Sequence, residues 1–144
     1  MKITTKEELD AENERALAAL KADSQKALDE YLSTNAIVDH TPSGLYYNKT
    51  LVTGGASPQR GQKVRISFTA SYLDGTLLGN TDNFEANYGD GSLLKGLEEG
   101  IGLMHVGEKA RLVLPYNLAY GERPFGSIPG CANLVFDVEL LEIE

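Results

Sequence analysis

A chain of 144 residues, 42% apolar and 24% charged, fits one compact domain with a buried core and leaves no room for a second of full size. A formal net charge of -8 argues against nucleic acid as a partner, because phosphate-backbone binding needs clustered Lys and Arg. The lone Cys131 excludes an internal disulfide framework, and no stretch approaches the roughly 20 apolar residues of a membrane span.

In chain order, the first predicted element is a long helix over TTKEELDAENERALAALKADSQKALDEYL, rich in Ala, Glu, Lys and Leu and free of Gly and Pro. Thr5 and Glu8 have the spacing of a capping box, with Glu7, Glu8 and Asp10 crowding the first turn where the helix dipole favours them. Its apolar positions (Leu9, Leu17, Leu20, Leu28, Tyr31, Leu32) form a thin stripe padded with alanine. The expectation is a solvated arm whose last turn, around Leu28, Tyr31 and Leu32, packs on the domain. A homodimer through this helix is the alternative, although no clean a/d heptad supports it. The residues after it, STNAIVDHTPSG, read as a linker with Asn35 as the helix stop, so 1–43 is helix and linker and 44–144 is the domain.

From there the period changes. GLYYNKTLV alternates loosely, TGGASPQRGQ is a loop, and KVRISFTASYL puts Val64, Ile66, Phe68, Ala70 and Tyr72 on one face of a half-buried strand. Asp74-Gly75 is a tight-turn signal that sends the chain back through LLGNT as the partner strand. SLLKGLEEGIGLM predicts one short helix with Ser92 as N-cap, ending near Gly107 and carrying Leu93, Leu94, Leu97, Ile101 and Met104 on one face. EKARLVLP follows as a strand with Ala110, Leu112 and Leu114 inward. NLVFDVELLEIE closes the chain with Leu134, Phe136, Val138 and Leu140 on one face and Asp137 and Glu139 on the other. The fold class is α+β, an antiparallel sheet covering one short helix, with an extra helix in front.

Residues that carry covalent or metal chemistry are scarce. His40 and His105 are isolated from one another, so neither a zinc site nor a catalytic dyad is expected, and packed or surface histidines are. GSLLKGLE has the glycine spacing of a phosphate loop but Leu97 where the lysine belongs. Cys131 has no cation near it in sequence and is expected to be a buried structural thiol. What is left is an apolar concave site, with Phe68, Phe84, Tyr120, Ile128 and Phe136 as candidate walls or simply as core.

The run LLKGLEEGIGLMHVGEKARLVLPYNLAYGERPFGSIPGCANLVFDVELLEIE resembles the FKBP-type peptidyl-prolyl cis-trans isomerases, with GLEEG, MxxGEKA, AYG, IP and LVFDVELL in order at family spacing. RGQKVRISFTASYLDGT matches the strand and hairpin before it, and the leading helix is similar to that of bacterial envelope members. The resemblance implies a sheet of about five strands wrapped on the short helix, with a proline pocket between them. Tyr120 and Phe136 would be its catalytic residues, and Phe68, Leu78, Phe84, Leu93, Leu94, Leu97 and Ile128 would bind substrate. The Leu94 N–H and the Tyr120 hydroxyl would each bind a substrate carbonyl.

The resemblance further implies proline-containing peptides or unfolded client proteins as partners, with no cofactor and no metal. It suggests the cell envelope as compartment, while a native start at Met1, which no apolar signal core follows, suggests the cytoplasm. The chain departs from the family pattern at Leu78-Gly79, where Phe then Asp is usual, at Phe68, where Tyr is usual, and at Leu97, where Trp is usual. Loss of both the carboxylate and its tyrosine partner costs less stability than orphaning one of them. Two functions follow: an active isomerase of altered specificity, or a proline-binding chaperone module with little turnover.

Overall fold

The structure is a computed structural model that describes residues 6–37, 39–91, 93–122, 126 and 128–143. Thr5 of the capping box and the N-cap Ser92 lie outside the described residues. The elements are α1 (Lys6–Thr34), β1 (Tyr46–Leu51), β2 (Lys63–Tyr72), β3 (Leu77–Asn87), α2 (Lys95–Gly102), β4 (Lys109–Leu114), a 3-10 turn (Tyr116–Leu118) and β5 (Leu134–Ile143). The five strands form one sheet in the order β1-β4-β5-β2-β3, each neighbouring pair antiparallel. Among the described residues no helix is long and apolar enough to cross a membrane.

The inner face of the sheet is the one period-2 alternation selects. Val64, Ile66, Leu112, Leu114, Leu134 and Leu140 are buried there against Leu97 and Ile101 of α2. The helix approaches the sheet closely because two of its inward positions are glycine. A Cβ on Gly100 would lie 2.3 Å from Leu112 Cδ1, and one on Gly96 would lie 2.5 Å from Leu114 Cγ. Gly100→Ala therefore costs about 1–3 kcal/mol net in urea unfolding, overpacking outweighing the roughly 1 kcal/mol that alanine adds in helix propensity. A variant as stable as the parent would mean that Leu112 can move aside.

Helix α2 is shorter than expected. Leu94 is its N-cap with extended backbone (φ −57°, ψ 144°), so Leu93 and Leu94 lie in the lead-in, and the last turn closes with Leu103 N donating to Gly100 O and Met104 N donating to Ile101 O. Three glycines give this segment weak intrinsic helicity, so only the part packed on the sheet stays helical.

Helix α1 ends in a left-handed cap at Ala36 (φ 54°): Ile37 N donates to Leu32 O, Ala36 N donates to Ser33 O, and Ile37 packs with Leu32. Leu28, Leu32 and Ile37 bury the outer face of β4 at Val113. The contact begins at least a turn earlier than the apolar stripe predicts, because polar groups make it. Ser24 is buried, and Lys21 reaches Glu122 at 2.6 Å.

Far from α1, Glu108 is wholly buried (0% exposed) and holds the loop between β1 and β2. Its carboxylate accepts the backbone N–H groups of Thr53 and His105, both at 3.0 Å, pairs with Lys49 Nζ at 3.0 Å, and lies 3.1 Å from His105 Nδ1. Burial alone would raise its pKa, but the two backbone donors and the Lys49 and His105 side chains prevail and bring it down to about 2. His105 is thus packed in a structural cluster, while the ring of His40 lies 5.2 Å from that of Tyr46.

Candidate functional site

Between the inner face of β2, β3 and β5, the start of α2 and the segment after β4 lies a cavity of about 370 Å³. Alternation on β2 brings Phe68 and Ala70 to it, and the pairing of Ala70 with Phe136 and of Tyr72 with Leu134 aligns the contribution of β5. Leu97 closes the bottom at 3% exposed, with Leu93 and Leu94 on the side where α2 begins. Tyr120, just past the 3-10 turn, and Ile128 complete the wall.

Strand β3 contributes through two bulges. Ile66 pairs with Phe84 and Phe68 with Thr81, so two steps on β2 span three on β3, and the alternation of β3 shifts by one residue. Even-numbered Phe84 therefore shares the cavity side with odd-numbered Gly79. Beyond, Ala70 pairs with Gly79 and Ser71 with Leu77, which leaves Leu78 as the extra residue, and it too lines the cavity. The hairpin is closed by Gly75 (φ 92°), in a conformation that glycine takes without a Cβ penalty, and by Asp74 Oδ1, which accepts the Thr76 N–H at 2.8 Å.

All nine residues singled out in the sequence line this one cavity: Tyr120, Phe136, Phe68, Leu78, Phe84, Leu93, Leu94, Leu97 and Ile128. Ala70, Leu134 and Gly79 join them. The first two were within reach of strand alternation, since Ala70 shares a face with Phe68 and Leu134 with Phe136. Phe68 is the aromatic hub, edge-on to Phe84 at 5.9 Å between ring centroids and tilted against Phe136 at 5.6 Å. Phe84 (39% exposed) and Tyr120 (37%) stand at the rim. A Cβ on Gly79 would meet nothing within 4 Å, so the wall is open where a side chain would narrow it.

Among the described residues no charged side chain lines the cavity, and the Tyr120 hydroxyl is the only polar side-chain group in its wall. Such a surface binds an apolar ring and strips water from what it holds, and it offers one hydroxyl for orientation. It supplies no nucleophile. Two larger grooves, of about 560 and 520 Å³, run between α1 and the β2–β3 turn, but the first is edged by Glu30, Asp74, Arg111 and Asp137 beside Tyr31 and Tyr72, and the second has Tyr72 as its one aromatic among the described residues. Cys131 is buried, and burial raises its thiol pKa, with Glu122 adding to the rise. Among the described residues no group of three or more His, Cys, Asp or Glu is placed to hold a metal.

Comparison with known proteins points to one family. The family model described as FKBP-type peptidyl-prolyl cis-trans isomerase matches residues 54–141. FKBP-type peptidyl-prolyl cis-trans isomerase FkpA of Aeromonas hydrophila is 42% identical over 127 residues, an overlap of 85% of this chain and 47% of the relative. The FKBP-type 22 kDa peptidyl-prolyl cis-trans isomerase of Escherichia coli (strain K12) is 38% identical over 144 residues, covering 95% of this chain and 68% of the relative. The crystal structure of FkpA from Escherichia coli superposes with a TM-score of 0.79 at 26% identity, over 96% of this chain and 66% of that one. This chain thus spans about half the length of the Aeromonas relative.

Proposed function

We propose that this chain, which belongs to the FKBP-type peptidyl-prolyl cis-trans isomerase family, accelerates cis-trans exchange about Xaa-Pro bonds by taking the prolyl ring into the apolar cavity. The observation that carries this is the cavity wall itself: among the described residues it holds three phenylalanines and a set of aliphatic side chains, one hydroxyl and no charge, in a member of that family.

Prolyl isomerisation breaks no bond. Its barrier of about 20 kcal/mol arises because the amide loses resonance as it twists. The planar amide is the more polar state, so a dry apolar site disfavours it relative to the twisted one, and that difference lowers the barrier. Phe136, Phe68 and Leu97 enclose the ring in this scheme. The Tyr120 hydroxyl and the Leu94 N–H donate to substrate carbonyls on either side of the bond. The partners are proline-containing segments of peptides or unfolded proteins.

A second possibility, binding with little turnover, is favoured by one set of residues: Gly79, Phe68 and Leu97 leave the wall without a carboxylate, a phenol or a broad floor where the family usually has them. NMR exchange spectroscopy on a series of Xaa-Pro peptides separates the two, because one sample reports both binding shifts and the cis-trans exchange rate. Accelerated exchange is the expected result. Binding shifts with exchange at the uncatalysed rate would overturn isomerase activity and leave the binding module.

A further inference from the structure

A closed ring of hydrogen bonds joins α1 to the segment that carries Tyr120 and Ile128. Ser24 Oγ donates to Cys131 O at 2.8 Å, Cys131 N to Gly121 O at 2.9 Å, and Gly121 N to Tyr116 O at 2.8 Å. Tyr116 N then donates to Asn133 Oδ1 at 3.0 Å, and Asn133 Nδ2 returns to Ser24 O at 2.8 Å. Ser24, Cys131 and Asn133 are all buried, so none of these groups has water as a ready substitute partner. Outside the ring, Lys21 and Glu122 meet at the surface.

Two features of this ring tie it to the cavity. Gly121 follows Tyr120 directly, and Cys131 lies three residues beyond Ile128, so the ring grips the chain beside two residues that line the cavity, Tyr120 and Ile128. Cys131 is also one of two described non-glycine residues with positive φ (58°), a conformation that its side chain does not favour and that neighbouring contacts must hold. Both of its backbone groups are in the ring: the N–H goes to Gly121, and the carbonyl is taken by the helix.

We propose that α1 is part of the cavity's working apparatus, with Ser24 and Asn133 as positioning residues that set Tyr120 and Ile128 against the bound prolyl segment. The role in turnover rests on the isomerase function proposed above, whereas the positioning itself is a statement about geometry. Whatever bends or pulls this helix, a second chain or a client held along it, is then transmitted to the rim of the cavity.

The test uses the full chain with Ser24→Ala, Ser24→Thr and Asn133→Asp, the last keeping the acceptor for Tyr116 N–H but losing the donor to the helix. In Ser24→Ala and Asn133→Asp, kcat for a Xaa-Pro peptide falls by about fivefold while KM stays within about twofold, and Ser24→Thr restores it. The Ile128 methyl resonance shifts in Ser24→Ala and Asn133→Asp and keeps its parent position in Ser24→Thr. A lower urea midpoint with kcat and the Ile128 resonance both unchanged would mean that the ring only stabilises the fold, which overturns the proposal. Absence of turnover in the parent chain would sink the isomerase function instead, and the Ile128 resonance alone then decides: movement in Ser24→Ala supports positioning, and none rejects it.

Discussion

Leu94→Trp lowers the acceleration of Xaa-Pro exchange by at least about 100-fold, equivalent to roughly 2.7 kcal/mol of lost transition-state stabilisation. Leu94 lies where α2 begins and forms one wall of a cavity of about 370 Å³. An indole there occupies the space that the proposed mechanism gives to the prolyl ring while leaving the backbone N–H of residue 94 in place, so the loss reports on the cavity and not on the donor. Leu94 is only half-buried and faces a cavity of about 370 Å³, so the larger side chain has room without displacing the core and the urea midpoint stays close to that of the parent. Leu94→Met, which keeps volume and apolarity, retains activity within a few-fold. Exchange that persists at the parent rate in Leu94→Trp would mean that the prolyl ring binds elsewhere.

Glu108→Leu destabilises the domain by about 3–5 kcal/mol, a large share of the stability such a domain possesses, because it strands the Thr53 and His105 N–H groups and the Lys49 ammonium that the carboxylate serves. Acid should reveal the same cluster. The Glu108 carboxyl is depressed from an ordinary 4.5 to about 2 in the folded chain, so its contribution is complete above pH 4.5 and drains away as pH falls toward 2. The difference corresponds to on the order of 3 kcal/mol. Chemical unfolding between pH 6 and 2.5 therefore shows a steep loss of stability in the parent chain and a shallower one in Glu108→Gln, which has no carboxylate left to protonate. Parallel pH profiles would show that other carboxylates govern acid unfolding. Glu108 does not line the cavity, so the isomerase activity proposed above is expected to be unaffected in the surviving folded fraction.

Much of the architecture was legible because burial imposes its period on sequence. Val64, Ile66 and Ala70 on β2, and Leu134, Phe136, Val138 and Leu140 on β5, announce strands with one buried face, and all of them are buried. Asp74-Gly75 announces the turn between β2 and β3. The extent of α2 was less legible, since leucines at 93 and 94 continue the apolar pattern through a lead-in whose backbone is extended. The attachment of α1 was legible at Leu28 and Leu32 but not at Ser24, because a buried serine has no hydrophobic signature and declares itself only through its partners Cys131 and Asn133, more than a hundred residues away.

The cavity divides in the same way. Its residues were named through motif resemblance, and alternation alone would have supplied Phe68, Ala70, Leu134 and Phe136. Alternation along β3 would have placed Gly79 and Phe84 on opposite faces, and only the two bulges bring Leu78, Gly79 and Phe84 to one wall. Glu108 is a third case, a charged side chain in a polar-looking GEK triplet that is wholly buried because the distant Thr53 N–H and Lys49 converge on it together with the nearby His105 N–H.

By itself, then, the sequence determined the helix, the strands, the turn and the family of this chain, since these rest on local propensity and on the one-dimensional periods that a buried face enforces. The tertiary structure alone decided which side of β3 faces the cavity, how deeply α1 is tied to its rim and why a carboxylate lies in the interior. Each of these depends on register and on hydrogen bonds between residues far apart in the chain, and a hydrogen bond leaves no periodic trace in the sequence that makes it.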